Sequence, residues 1–160
     1  MNASLNTPLP KLKNVSSGFT LIELMVTIAV LAIIVSIAAP NISTQLANQR
    51  VKSTTATLVN ALKEAKAESI IRRQSMELSV DTDTHTLVIE NDNSDEIASY
   101  SYSADSNITT DEATTIVIFR PSKRSNEITY TVCDDKNSSA AMQIVVNAVA
   151  NISTAVGGTC

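Results

Sequence analysis

The sequence offers few residues that could carry out covalent chemistry. It contains one histidine, His85, two cysteines, Cys133 and Cys160, and three glycines among 160 residues. Phosphate-binding loops and nucleophile turns need glycines at fixed spacings, and the chain does not show those spacings. Its many serines and carboxylates lack the spacing of a catalytic triad. We therefore expect no enzyme activity, no cofactor and no bound metal.

One carboxylate lies in an unusual place. Glu23 is the only charged residue between Phe19 and Ala39. As a helix this run would extend roughly 30 Å, the thickness of a bilayer's hydrocarbon core. A charge at such a depth costs about 2.5 kcal/mol or more, so it marks a functional position with a partner to be found. A free α-amino group would be such a partner if the chain were cut before Phe19.

The residues before the apolar run make that cut plausible. Residues 1–18 are polar and include Lys11 and Lys13 but no acidic residue. Positive charge before an apolar segment keeps that end in the cytoplasm and sends the following part across the membrane. A secretory signal has its small cleavage residue after the apolar core. Here Gly18 precedes the core, so cleavage would leave the apolar helix on the product.

Residues 18–24 (GFTLIEL) resemble the class III leader junction of type IV pilins and type II secretion pseudopilins. The resemblance implies that a membrane prepilin peptidase cuts after Gly18 and N-methylates Phe19. It also implies that Glu23 pairs with the N-terminal amine of a neighbouring subunit during assembly. Pro40 matches a proline that kinks the helix in that family.

The two cysteines lie in the part that would be exported. Outside the cytoplasm a pair of thiols is typical of a disulfide rather than a metal site, and we expect Cys133 to bond Cys160. Loss of both leader lysines would lower the formal net charge of −4 by two. This acidity, with 3% aromatic residues and no tryptophan, argues against broad nucleic-acid binding.

Two charged groups have a functional and an ordinary interpretation. The basic side chains of Arg72, Arg73, Arg120, Lys123 and Arg124 could contact phosphate, but we favour solvated charge at a helix end and in a loop. Residues 91–96 (NDNSDE) suggest a calcium loop but lack its glycine and final glutamate, so we favour a solvated turn. The same interpretation applies to Asp134 and Asp135.

Periodicity predicts one long helix from about Thr20 to Gln74, bent at Pro40. After the proline, apolar residues recur about every 3.6 positions, which makes this half of the helix amphipathic. These residues are Ile42, Leu46, Val51, Leu58, Val59, Leu62, Ala65 and Ile70.

From Met76 onward apolar and polar residues alternate, a repeat of two that is typical of strands. Strands are predicted at residues 77–80, 85–90, 98–102, 115–120, 128–133 and 142–147, followed by an alternating piece at 149–156. We expect one mainly antiparallel sheet packed on the helix, an α+β domain.

The second half also resembles a narrower group. Residues 61–74, 118–121, 128–133 and 143–147 are similar to the helix end and strand order of the GspH/FimT/FimU minor pilins and pseudopilins. The glycine and tryptophan motifs common after that helix are absent. Residues 148–151 (AVAN) replace the Gly-Arg-x-Arg pattern of DNA-binding members.

The resemblance implies a pilin fold with a leader at 1–18, a transmembrane and filament-core helix at 19–40 and a periplasmic domain at 41–160. We interpret the protein as a minor type IV pilin of a pilus tip or priming complex, serving twitching motility. The alternatives are a DNA-binding minor pilin for natural transformation and a type II secretion pseudopilin. The implied partners are major and minor pilins, the prepilin peptidase and methylase, and the inner membrane. The protein would then pass into an extracellular filament.

Overall fold

The computed structural model of the protein describes residues 18–160, without the side chains of residues 38–41 and 138–139. The predicted leader, with Lys11 and Lys13, lies outside the described residues apart from Gly18. The chain divides into two compact units, Met1–Ala38 and Ala39–Cys160, and each is described by itself.

The predicted long helix is present as α1, Leu21–Arg72. It ends two residues before the predicted Gln74 because Arg73 adopts a left-handed backbone conformation, with φ of 55°. This is the conformation in which many helices stop. In the described part of the chain, no single helix is long and apolar enough to cross a membrane. The stretches Leu21–Ile37 and Ile42–Arg72 meet that test when they are taken together.

The described residues form nine strands in two sheets, where the sequence predicted one sheet. The first sheet has the order β3-β2-β1-β5-β6 and the second the order β4-β7-β8-β9, with antiparallel pairing throughout. The strands are β1 Met76–Asp81, β2 Thr86–Asn91, β3 Glu96–Ser101, β4 Ser106–Thr110, β5 Val117–Arg120, β6 Arg124–Ser125, β7 Ile128–Asp134, β8 Asn137–Val146 and β9 Ile152–Val156.

The predicted strands are all present with shifted ends, and two further strands were missed. β4 has a single strongly apolar residue, Ile108, among serine, asparagine and threonine, so alternation did not show it. β6 has two residues, fewer than a repeat of two can reveal. β8 begins at Asn137 rather than at residue 142, because pairing with β7 extends it through small residues.

In the second unit, the buried face of α1 contains fewer large apolar residues than the sequence pattern predicted. Val51, Leu58, Leu62 and Ala65 are buried as predicted. Ile42, Leu46 and Ile70 lie outside the core and are 60%, 54% and 39% exposed. The face is completed by small or polar residues: Ala47, Thr54, Thr55, Ala61 and Ser69. These let the sheets approach the helix closely, and a hydrophobicity pattern does not detect them.

Both sheets bury their alternate residues in one core against this face. Met76, Leu78 and Phe119 come from the first sheet, and Tyr130 and Ile144 from the second. The sheets also join directly through Ser125, whose hydroxyl donates to the carbonyl of Asn147 at 2.7 Å and whose amide donates to Ala148 at 3.3 Å. In the second unit, α1 and both sheets therefore share one core.

Candidate assembly site

The start of α1 is fixed by Thr20. Its hydroxyl accepts a hydrogen bond from the amide of Glu23 at 3.3 Å, and its carbonyl accepts one from Leu24 at 3.1 Å. Thr20 is therefore the N-cap, which satisfies an amide left without an intrahelical partner. Glu23 lies in the first turn, where the helix dipole favours a negative charge.

Exposed apolar side chains cover the part of α1 that lies in the first unit. The large hydrophobic residues from Phe19 to Ile37 are exposed, from 50% at Val30 to 82% at Phe19. Soluble monomers rarely expose a continuous apolar surface of this length, so lipid or other protein must cover it.

The hydroxyls of this segment do not need outside partners. Thr27 donates to the carbonyl of Leu24 and Ser36 to that of Ile33, each at 2.8 Å. Such bonds hide a hydroxyl in its own helix. Among the described residues, the carboxylate of Glu23 has no hydrogen-bond or ion-pair partner. An unsatisfied charge on an apolar segment is suited to pairing with a cation from outside the chain.

The predicted cleavage site is accessible. Gly18 and Phe19 are exposed, and a Cβ added at Gly18 would meet nothing within 4 Å. Nothing in the described fold therefore requires glycine at this position. α1 continues through Pro40, but the side chain of this proline lies outside the described part, so the kink stays a prediction.

The predicted disulfide between Cys133 and Cys160 is present, with Cα atoms 5.8 Å apart. It returns the C-terminal tail from β9 to β7. Gly158 makes this return compatible with close packing, because a Cβ there would lie 2.8 Å from Cγ2 of Thr131. Its φ of +116° also favours glycine.

The basic residues fall into two groups. Arg72 forms an ion pair with Glu68 one turn earlier on α1, and Arg73 follows the helix end. Arg120 and Arg124 lie opposite each other in the backbone pairing of the β5–β6 hairpin, and Lys123 lies in the turn between these strands.

Acidic residues surround one side of this hairpin. Arg120 lines a depression of about 360 Å³ together with Glu77, Glu90 and Asp92. These carboxylates oppose the approach of phosphate at this point. The arrangement supports the interpretation of solvated charge over a nucleic-acid surface.

Residues 92–95 form a turn between β2 and β3, within the stretch predicted as a turn. The side-chain oxygen of Asn91 accepts hydrogen bonds from the amides of Asn93 and Asp95, each at 2.9 Å. Asp92 accepts one from Ser75 at 3.2 Å. Across the described residues there is no cluster of three or more histidine, cysteine or carboxylate side chains suited to a metal.

The interpretation of Asp134 as a solvated turn residue was wrong. It ends β7, its side chain is fully buried, and its Oδ2 accepts a hydrogen bond from Nε of Arg50 at 2.7 Å. Asp105 lies 3.9 Å from the same Nε and 2.8 Å from Nζ of Lys136. These four charges connect α1 to the ends of β7 and β8.

The charges of this network shift the pKa values of Asp134 and Arg50. The hydrogen bond from Arg50 lowers the pKa of Asp134, although burial opposes this change. Backbone amides of Lys136 and Asn137 lower that pKa further. In return the bond to Asp134 raises the pKa of Arg50. Sequence reasoning missed the pair because its members lie 84 positions apart.

Two family models match the sequence. A prokaryotic N-terminal methylation motif matches residues 13–39, and the type II transport protein GspH matches residues 54–150. The comparison with curated protein sequences gave no match.

Solved structures share the fold at low sequence identity. The type IV minor pilin FimU of Pseudomonas aeruginosa matches with a TM-score of 0.59 and 13% identity, over 68% of this chain and 98% of that chain. The minor pseudopilin EpsH from the type 2 secretion system of Vibrio cholerae matches with a TM-score of 0.56 and 10% identity. That match covers 67% of this chain and 97% of that one.

Proposed function

This chain belongs to the GspH family of minor pilins and pseudopilins, and we propose that it serves in the tip or priming complex of a type IV pilus. The observation that carries the proposal is the exposed apolar segment from Phe19 to Ile37, with Glu23 as its one charge. The segment lies within the methylation motif matched at residues 13–39, and it precedes a folded domain. An assembling subunit needs a processing site, an apolar helix and a folded domain in this order.

The proposed mechanism is structural rather than catalytic. The leader holds the precursor in the inner membrane with the C-terminal domain in the periplasm. A prepilin peptidase cuts after Gly18, and Phe19 becomes the methylated N-terminus. The apolar helix then moves from lipid into a bundle of neighbouring helices, where other major and minor pilins cover its surface.

Glu23 selects the register of that bundle. Burying its carboxylate without a cation would be costly, whereas a neighbour's N-terminal ammonium would satisfy it. Only a helix positioned with its amine beside Glu23 avoids the unpaired charge. The carboxylate therefore acts as a test for correct insertion.

The proposal is tested by deleting the gene and complementing it with variants. Wild type and Glu96→Ala should restore surface pili and twitching, since Glu96 is an exposed carboxylate of the folded domain. Glu23→Ala and the nearly isosteric Glu23→Gln should fail, because neither carries the charge. Equal rescue by Glu23→Gln would overturn the role of the ion pair.

A second candidate is a pseudopilin of a type II secretion system, since the matching family model is described as a type II transport protein. The same strains distinguish it when secreted proteins are also measured. Normal pili with defective secretion would favour this candidate. Normal pili with failed DNA uptake would instead favour the DNA-receptor alternative, which the acidic surroundings of Arg120 disfavour.

A further inference from the structure

β9 is the outer strand of the second sheet, and among the described strands it pairs with β8 alone. Just after β9, the amide of Gly157 donates to the carbonyl of Ala141 in β8 at 3.1 Å. Backbone groups point alternately to the two sides of an antiparallel strand. The odd-numbered residues of β9 therefore direct theirs toward β8. The residues that direct theirs away from the sheet are Ile152, Thr154 and Val156.

This outward side of β9 is accessible. Ile152 is half-buried, Thr154 is exposed and Val156 is 88% exposed. Within the part of the chain that the structure describes, the outward backbone groups of these residues have no hydrogen-bond partner. The following tail does not cover them, because it crosses a face of the sheet, where Gly158 packs against Thr131. β9 thus presents a free edge to its surroundings.

This edge carries no charge. Residues 137–160, which include β8, β9 and the tail, contain no lysine, arginine, histidine, aspartate or glutamate. They also contain no proline. Charged side chains and prolines are the usual means by which a free edge avoids pairing with another chain. An accessible edge without them is suited to accepting a strand.

A second copy of this chain does not fit the edge. Arg50 bonds Asp134 just before β8, and Lys66 donates to the carbonyl of Ala150 just after it at 2.8 Å, so β8 runs in the direction of α1. Two β9 strands paired antiparallel would turn one α1 against the other. Paired parallel, they would place the two helices on opposite faces of the joined sheet. Subunits whose helices leave one membrane into one bundle can adopt neither arrangement.

We propose that β9 accepts an uncharged extended segment of another filament subunit as an added strand. The identity of the partner as a filament subunit rests on the proposed function. Strand addition supplies backbone hydrogen bonds at Ile152, Thr154 and Val156, and it covers the exposed side chain of Val156. A charged side chain would lose water at this edge without gaining an ion pair, so uncharged segments are selected. A five-residue strand spans roughly 17 Å, which sets the minimum length of the segment.

The occupant is identified by crosslinking in cells that assemble filaments. The photoreactive residue p-benzoylphenylalanine replaces Val156 in the full chain, and in the control it replaces Thr82, an exposed turn residue. The crosslinked peptides are sequenced by mass spectrometry. We expect position 156 to attach to an uncharged segment of another filament subunit, and position 82 not to attach to that segment. Attachment to a second copy or to a charged segment, or no attachment, would overturn the proposal.

Backbone pairing is tested with Thr154→Pro. The amide of Thr154 faces away from β8, so proline removes no bond within the sheet, and edge strands tolerate it there. The crosslink yield from position 156 should fall about tenfold, the effect expected from losing a backbone hydrogen bond. Thr154→Ser keeps the amide and should leave the yield unchanged. Thr154→Lys keeps the backbone but adds a charge and should also lower it. An unchanged yield in Thr154→Pro or Thr154→Lys shows that no strand is added.

The same strains separate this proposal from the proposed function. Recovery of the chain in sheared filaments, and its dependence on Glu23, is measured alongside the crosslinks. A chain that is present in filaments but forms no crosslink at position 156 contradicts only the added strand. A chain that is absent from filaments contradicts the proposed function.

Discussion

Thr54 and Thr55 are adjacent on the buried face of α1, and only the hydroxyl of Thr54 has a hydrogen-bond partner among the described residues. The hydroxyls of Thr54 and Ser106 lie 3.1 Å apart, whereas Thr55 Oγ1 is buried without a partner among the described residues. A buried hydroxyl without a hydrogen bond is destabilising, because it has lost its contacts with water.

Thr55→Val should therefore raise the free energy of unfolding by about 1 kcal/mol, since valine keeps the shape and removes the unsatisfied group. Thr54→Val is the matched control and should lower it by about the same amount. Urea unfolding of the full chain in micelles, followed by tyrosine near-ultraviolet circular dichroism, measures both. A loss of stability in Thr55→Val would show that its hydroxyl has a partner.

The buried pair of Arg50 and Asp134 predicts a dependence of stability on pH. The pKa of Asp134 is lower in the folded chain than in the unfolded chain, where an aspartate titrates near 3.9. The stabilisation is therefore complete above about pH 3.9 and is lost as the pH falls from there through the folded pKa.

Asp134→Asn should lower Tm by roughly 5 °C near neutral pH, because Arg50 loses its charged partner. This difference from wild type should shrink below about pH 3.9. Asp135→Asn, an exposed neighbour, should change Tm little at any pH. A difference for Asp134→Asn that does not vary with pH would show that the charge is not responsible.

How well single residues could be predicted depended on whether their signal was local. Glu23 stood out because its neighbours are apolar, and the two cysteines because they are the only ones. Asp134 lies among turn-forming residues, and its partner on α1 is far away in the chain. Its burial could not be inferred without knowing which strand end meets the helix.

Among the structural elements, the C-terminal tail is fixed by the disulfide and by the close packing of Gly158 against Thr131. Gly158→Ala should lower the free energy of unfolding by about 2 kcal/mol, because the new Cβ meets Thr131 at 2.8 Å in a left-handed conformation. Gly157→Ala is the control, since its φ is +126° but nothing lies within 4 Å of a Cβ. It should cost about 1 kcal/mol. Equal effects would show that the contact is relieved by movement of the tail.

The basic residues of the β5–β6 hairpin are not expected to form a DNA-binding surface. We expect the full chain in micelles to bind duplex DNA no more tightly than about 10⁻⁴ M at physiological salt. Replacing Arg120, Lys123 and Arg124 with alanine should then change little, because acidic residues flank Arg120. Fluorescence anisotropy over a range of salt concentrations measures this. Micromolar binding that weakens with salt and disappears in the triple variant would establish a DNA surface.

Helices and strands with a clear hydrophobic periodicity were predicted from the sequence, whereas elements without it were missed. The long helix and the Val- and Ile-rich strands follow from periodicity. β4 does not, because its burial comes from pairing with β7 and from one isoleucine. The division into two sheets also depends on where β5 and β7 pair, and neither pairing has a local signal in the sequence.

At the scale of the whole molecule, the chain combines two kinds of surface. Residues 19–37 bury almost nothing in the chain itself, whereas residues beyond 46 enclose a core against two sheets. The first part thus depends on surroundings that the chain does not provide, and the second folds around its own apolar residues. This division is what an assembling subunit requires, because its domain stays folded while its helix changes partners.

The proposed function requires that the chain is processed at Gly18 and enters a filament through the freed helix. The most direct measurement is the intact mass of the protein recovered from sheared surface filaments, with fragmentation of its N-terminus. We predict a chain that begins at Phe19, carries one added methyl group and retains the disulfide. A filament-associated chain that still contains residues 1–18, or a processed chain found only in the membrane, would contradict the proposed assembly role.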